Sequence, residues 1–180
     1  HHPLVTIANK ESIAEQDYIL VGERYKGDKS LDTTYPVVPL SDICEINAEN
    51  KNPTLAFGDD EFIYIDISSV ENGTGKVDFS NKIKGTDAPS RAKRAVKKGD
   101  ILFSTVRPNL KAYGFVERED CDCCVASTGF AVISAKTKVL SKYVYYMLYS
   151  EPVQTQLSSM MGKGAYPSVN QKDVSQIQIP

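Results

Sequence analysis

Histidine is confined to His1 and His2, at the very start of the chain. No interior histidine is therefore available as a general base or as the middle member of a nucleophilic triad. The His1-His2 pair reads as the remnant of a purification tag and is set aside from the fold argument. Long apolar runs are also missing: Val144 to Leu148 is typical of the longest, far short of the ~20 residues of a spanning helix. Thr6, Asn9, Lys10 and Glu11 interrupt any apolar segment near the start, so no secretory signal is expected. The four cysteines are Cys44 and a C-x-C-C cluster, Cys121, Cys123 and Cys124, which fits no usual zinc spacing. Reduced thiols in a cytoplasmic protein without a metal are the expectation. Asn72-Gly-Thr-Gly-Lys76 lacks the first glycine of a phosphate loop and has Val77 where a magnesium-binding hydroxyl is required, so it reads as a hairpin turn. A DNA methyltransferase would need a glycine-rich cofactor loop and an Asn/Asp-Pro-Pro-aromatic loop, and neither occurs.

What is present is an ordinary globular composition with an uneven charge. The 180 residues carry 21 Lys+Arg against 23 Asp+Glu, a formal net charge of −2, and suit one domain or one domain with an appendage. Residues 1–81 hold 6 basic and 15 acidic side chains, whereas residues 82–111 hold 9 basic and 2 acidic, a local net of +7. The remainder balances at 6 and 6. A basic stretch inside a near-neutral chain has two readings: the electrostatic footprint of a polyanion, or a solvated lysine-rich face.

Residues 1–36 read as an appendage or linker and residues 37–180 as the domain. Ser41-Asp42 can cap a short helix carrying Ile43, Cys44 and Ile46. Glu61–Ile67 alternates as a strand, Glu71–Gly75 is a turn, and Lys76–Phe79 alternates again. Thr86 or Asp87 caps a helix predicted near Ala88–Val96, with Pro89 in its first turn. On that helix Lys93/Lys97 and Arg94/Lys98 would stand at i, i+4, and such repulsion calls for compensation from outside. Ile101–Val106 is an apolar run bounded by Gly99 and Pro108 and reads as a central strand. Ala112–Val116 and Val125–Ile133 read as two more strands, joined by the acidic Glu117–Asp122 loop. Helices are expected over Val139–Tyr149, from Pro152 to Met161, and around Gln171–Gln176, with a loop over Gly162–Ser168. Together these elements predict a mixed α/β (α+β) domain: a twisted mixed sheet flanked by short helices, with a helical C-terminal part.

The ordered series Ala88-Pro-Ser-Arg-Ala-Lys-Arg-Ala-Val-Lys-Lys-Gly-Asp-Ile-Leu-Phe-Ser-Thr-Val-Arg-Pro-Asn-Leu-Lys111, Ala126-Ser-Thr-Gly-Phe130, Ser141-Lys-Tyr-Val-Tyr-Tyr146 and Gly162–Asn170, closed by Ile-x-Ile-Pro180, resembles the target recognition domain of type I restriction–modification specificity subunits. Residues 17–26 are similar to the connector that follows the catalytic domain where an adenine-N6 methyltransferase is fused to such a domain. The resemblance implies a non-catalytic module that recognises double-stranded DNA. Its implied partners are an adenine-N6 methyltransferase subunit or domain, which would hold the S-adenosylmethionine, and a restriction/translocase subunit. It also implies a second recognition domain or a second copy, because complete specificity subunits carry two such domains. No cofactor and no membrane partner is expected for this chain.

On this reading Lys82, Lys84, Ser90, Arg91, Lys93, Arg94, Lys97, Lys98 and Lys111 are candidates for backbone contacts, which position a protein without reading sequence. Arg107, ahead of the rigid Pro108, could fork onto a guanine edge, and Asn109 could pair with adenine. Tyr166 could stack or wedge, and Lys163 lies between two glycines that permit close approach of backbone to DNA. Two other readings stand beside this one. Asp42, Glu49 and Lys51 superficially resemble the Asp…Glu-x-Lys set of a magnesium nuclease. Alternatively, the Val139–Met161 helices dock a protein partner and the basic stretch only solubilises.

Overall fold

The computed structural model describes residues 8–15, 18, 35–137, 140–161 and 167–180. Ten strands and six α-helices follow in order: α1 (Lys10–Glu15), β1 (Val38–Pro39), α2 (Leu40–Ile43), β2 (Cys44–Ile46), α3 (Pro53–Phe57), β3 (Glu61–Ile65), β4 (Lys82–Lys84), β5 (Ala92–Ala95), β6 (Ile101–Ser104), β7 (Tyr113–Phe115), β8 (Cys124–Ser127), β9 (Phe130–Ala135), α4 (Ser141–Leu148), α5 (Glu151–Met160), α6 (Gln171–Ser175) and β10 (Gln178–Ile179). The expected mixed α/β class is what forms. Its strands divide between two four-stranded sheets, β2-β9-β6-β7 and β4-β3-β8-β5, with β1 and β10 pairing separately. The second sheet is mixed, since β3 runs parallel to β8 and antiparallel to β4.

The double layer follows from strands that are apolar on both faces. In β3, Ile63 and Ile65 enter the core between the sheets, while Phe62 and Tyr64 face outward under α3 with Phe57 and Ile83. In β6, Leu102 faces the other sheet, and Ile101 and Phe103 face the C-terminal helices. β9 divides likewise, with Phe130 and Val132 inward and Ala131 and Ile133 toward the helices. Val144 and Leu148 of α4 and Val153 and Leu157 of α5 complete that outer layer. The order is thus helices, sheet, sheet, short helix. Period-two side chains on both faces of a strand require a cover on each side.

Several predicted elements differ: the one strand expected over Val125–Ile133 is two, β8 and β9, in different sheets, and Lys76–Phe79 forms only the isolated Val70↔Val77 bridge. The helix expected over Ala88–Val96 is instead a turn at Ser90–Arg91 that leads into β5, which pairs antiparallel with β8 through Ala92↔Ser127 and Ala95↔Val125. On its other edge Lys51 N–H donates to the Lys93 carbonyl (2.9 Å) and Ala95 N–H to the Glu49 carbonyl (3.2 Å). Ladder bonds on both sides outweigh the local helix preference of this alanine- and lysine-rich run, so the i, i+4 repulsion does not arise. Near the start, Pro39 precedes the short α2, Ser41 and Asp42 lie within it, and Cys44 and Ile46 belong to β2 rather than to the helix.

One buried carboxylate sits where β5 turns into β6. Asp100 accepts from the Lys97 N–H (2.7 Å) and from the Ser134 hydroxyl (2.7 Å). Burial pushes its carboxyl above the ordinary 3.8, opposed by those two hydrogen bonds and by Lys97. A carboxyl raised in the folded state stabilises the fold below its unfolded value, and that contribution is lost as pH rises through the folded one. The melting-temperature advantage of the parent over Asp100→Asn is therefore expected to grow between pH 7 and pH 4. A difference that stays constant across that range would show that Asp100 remains ionised throughout.

Candidate functional site

The β8–β9 connection crosses from one sheet to the other within two residues, Thr128 and Gly129. A Cβ on Gly129 would come within 2.5 Å of Ile67 Cδ1, so only glycine fits this crossing without displacing its neighbour. The turn gathers the ends of three other segments. On one side the Thr128 N–H donates to the Arg91 carbonyl (2.8 Å), and the Arg91 Nε–H reaches Thr128 Oγ1 at 3.5 Å. On the other the Gly129 carbonyl accepts the N–H (2.9 Å) and hydroxyl (2.8 Å) of Thr105. The Thr105 carbonyl accepts the Val169 N–H (3.0 Å), and the Pro167 carbonyl accepts the Arg107 N–H (2.8 Å). Arg91, Thr128, Thr105 and Arg107 thus stand along one rim, which ends at Pro167.

Beyond Thr105 the rim continues through a tight loop. Arg107 (φ 48°, ψ 55°) and Lys111 (φ 55°, ψ 42°) both lie in the left-handed region and bracket a 3₁₀ turn over Pro108–Leu110. A non-glycine residue there costs about 1 kcal/mol or more, and a residue preceding proline avoids helical backbone in addition. The loop is held by the buried Tyr113 hydroxyl on the Pro108 carbonyl (2.7 Å) and by the Gly73 N–H on the Lys111 carbonyl (3.1 Å). Its strain leaves Arg107 and Asn109 exposed at the tip, while Lys111 is half-buried.

Next to the rim, between α3 and the segment leading into β5, runs a groove of about 560 Å³. Ser90, Lys93, Arg94 and Thr128 line one wall and Asn50, Lys51 and Asn52 the other. Asn52 caps α3 by accepting the Leu55 N–H, and Pro53 follows in the first turn, the pairing expected of an N-cap followed by proline. The Arg94 Nη1 donates to Asn50 Oδ1 (2.8 Å), across the Asn50↔Arg94 bridge. Asn50, Asn52, Thr105 and Thr128 were not among the residues singled out from sequence, and Lys51 was singled out only for the nuclease set. The cap-and-proline pair Asn52-Pro53 was the one local sign of a built wall here.

Residues 33–180 match the family described as the type I restriction modification DNA specificity domain. The chain belongs to this family. It is 31% identical over 140 residues to the type I restriction enzyme HindI specificity subunit of Haemophilus influenzae, a match covering 72% of this chain and 27% of that protein. The HsdS subunit of Thermoanaerobacter tengcongensis superposes with a TM-score of 0.70 at 33% identity, over 86% of this chain and 39% of that one. A chain from a structure addressing complex assembly and conformational transition of the type I R-M system gives 0.71 at 32% identity, over 80% and 37%. The specificity domain therefore spans between about a quarter and two fifths of the length of these relatives.

Within the specificity domain, the basic stretch is divided rather than continuous. Ser90, Arg91, Lys93 and Arg94 lie at the rim and groove, and Arg107, Asn109 and Lys111 on the neighbouring loop. Lys82 and Lys84 project from β4, the opposite edge of the same sheet. Lys97 and Lys98 lie past the far end of β5, where Lys97 pairs with Glu49 (2.9 Å) and Lys98 with Glu119. These exposed pairs are worth little in stability, but they set both lysines beside carboxylates. Lys163 and Tyr166 lie outside the described residues, as do most of residues 17–26.

The nuclease set does not come together. The Glu49 carboxylate is on Lys97, the Lys51 ammonium donates to the Asp122 carbonyl (2.7 Å) over the Phe57 ring, and Asp42 sits in α2. Among the described residues no group of three His, Cys, Asp or Glu side chains could hold a metal. Burial pushes the Cys44 thiol up to about 11 and the Cys124 thiol up to about 12, so both stay protonated at neutral pH. Val144, Leu148, Val153 and Leu157 of α4 and α5 pack into the internal core, while Tyr143 and Tyr146 stay exposed. No helix among the described residues is long and apolar enough to cross a membrane.

Proposed function

We propose that this chain reads the sequence of double-stranded DNA and lends that specificity to a cytoplasmic type I restriction–modification assembly. The domain is taken as residues 37–180, with residues 1–36 an appendage. It performs no chemistry itself. An adenine-N6 methyltransferase subunit or domain would bring S-adenosylmethionine and the reaction, a restriction/translocase subunit the cleavage, and a second recognition domain or a second copy the other half of the target.

The observation that carries this reading is the rim. It joins Arg91, Thr128, Thr105 and Arg107 through hydrogen-bonded strand ends, with Asn109 on the adjoining strained loop. Base edges in the major groove are read by such forked and amide side chains, and precise sites are built on rigid elements. The acidic residues that dominate the first 81 positions would repel DNA from other faces and so favour one docking orientation. Selection from a randomised duplex pool is expected to enrich one sequence. Binding to that sequence should weaken linearly in log–log salt titration, by about 0.9 in slope per phosphate engaged. An affinity indifferent to salt, or a pool that never enriches, would sink the proposal.

A further inference from the structure

The grooves on the described surface differ in charge. One, under α4, includes Glu117 in its lining, and another, beside Asp100, includes Glu45, Glu117 and Glu119. The groove between α3 and β5 has Lys51, Lys93 and Arg94 and no carboxylate at all. Asn52, Ser90 and Thr128 add neutral polar groups to the same lining. A concave surface with cations and hydroxyl or amide groups but no anion is chemically suited to a phosphate monoanion.

Arg94 is held there in an unusual way. Its Nη1 is fixed on Asn50, yet its Nε is buried with no hydrogen-bond partner among the described residues. A buried donor left unpaired costs about 1–3 kcal/mol. The Asn50 bond thus holds the side chain at the cost of one unsatisfied donor, and its position on the wall calls for a further reason.

We propose that this groove is a phosphate subsite that grips the backbone of one DNA strand, while the adjoining rim reads bases. The inference rests on the rim's reading of duplex DNA and adds a division of labour within it. Thr128 belongs to both surfaces, so a strand seated in the groove passes directly to Arg91 and Arg107. Lys93 supplies the accessible charge, Arg94 a fixed one, and Lys51 closes the far wall.

The test uses the full chain, the duplex enriched by selection and a scrambled duplex of equal length. Lys93→Gln is expected to weaken both by the same factor, about five- to tenfold near 0.1 M salt, and to make the salt slope about 0.9 shallower. Selection with Lys93→Gln should return the parent's sequence. Lys142→Gln, which removes a charge from a carboxylate-bearing groove, should leave the slope unchanged. In a second arm, single neutral methylphosphonates are scanned along the enriched duplex. One position should weaken the parent and have no effect on Lys93→Gln.

Several results would overturn the proposal. They are an unchanged slope for Lys93→Gln, enrichment of a different sequence, or a methylphosphonate position that weakens parent and variant alike with none that distinguishes them. A parent that binds all duplexes equally, with a slope that still falls for Lys93→Gln, would support the groove and remove the base reading from the rim. No duplex binding by the parent overturns both.

Discussion

Arg91→Glu is expected to lower affinity for the enriched duplex about a hundredfold near 0.1 M salt, with little change in melting temperature. The side chain is exposed, and its one described hydrogen bond is the long contact to Thr128. The backbone bond that matters to the fold runs from the Thr128 N–H to the Arg91 carbonyl and survives any side chain. Losing a specific contact costs ~1–3 kcal/mol, and a carboxylate facing DNA adds repulsion, so ~3 kcal/mol in all is reasonable. At about 1.4 kcal/mol per decade that is two decades in Kd. Fluorescence anisotropy across a salt series measures the affinity, and a thermal melt establishes that the fold is intact. Binding within twofold of the parent in a normally folded variant would remove Arg91 from the interface.

Gly75→Ala is expected to be the most damaging single-methyl change in the fold. Gly75 has φ +70°, and an added Cβ would run into the Tyr145 hydroxyl and the Tyr113 carbonyl, with the Tyr149 hydroxyl at 2.9 Å. Those groups cannot simply withdraw. The Tyr149 hydroxyl donates to the Tyr113 carbonyl (2.7 Å), and the Tyr113 ring is stacked on Phe103 with centroids 4.4 Å apart. Left-handed strain of ~1–2 kcal/mol plus overpacking of 1–3 kcal/mol gives a loss of about 3 kcal/mol or more. For a domain of this size that lowers Tm by roughly 10 °C. Gly73→Ala is the internal comparison, because Gly73 has φ +78° but open space around its Cβ position. It should carry the conformational cost alone, about 1–2 kcal/mol. Equal losses at the two positions would show that the tyrosine cluster yields.

Much of the architecture was legible because its strands alternate strongly. Glu61–Ile65 and Ile101–Ser104 are strands where period two and apolar continuity placed them, and the three C-terminal helices lie within a residue or two of expectation. Ala92–Ala95 was not legible, because Ala92, Ala95 and Val96 suit a helix as well as a strand. What decides between them is hydrogen bonding to β8 and to residues 49–51, which no local window contains. The division into two sheets was hidden for a related reason. A strand apolar on both faces shows that it is covered twice without showing by what.

The candidate site was legible where it is charged. Arg91, Lys93, Arg94 and Arg107 stand out from composition and from the ordered resemblance. Thr105 and Thr128 do not, since a threonine at a strand end looks the same whether it braces a rim or faces solvent. Asn50 and Asn52 fall in the acidic first 81 residues, where averaging concealed them, and Lys51 was read there only as part of a nuclease set. Lys97 and Lys98 show the opposite error. They raise the charge count of the basic stretch, yet the fold places them beside Glu49 and Glu119.

The short ladder between β1 and β10 pairs Val38 with Ile179 and Pro39 with Gln178. Residues 38–39 and 178–179 thus lie side by side, on the sheet side that carries the C-terminal helices. A unit whose two ends meet behaves as a cassette. If residues 37–180 are the unit, it can be exchanged for a homologue of different rim without altering the spacing of whatever flanks it. Specificity could then change by wholesale replacement, leaving every neighbouring contact in register.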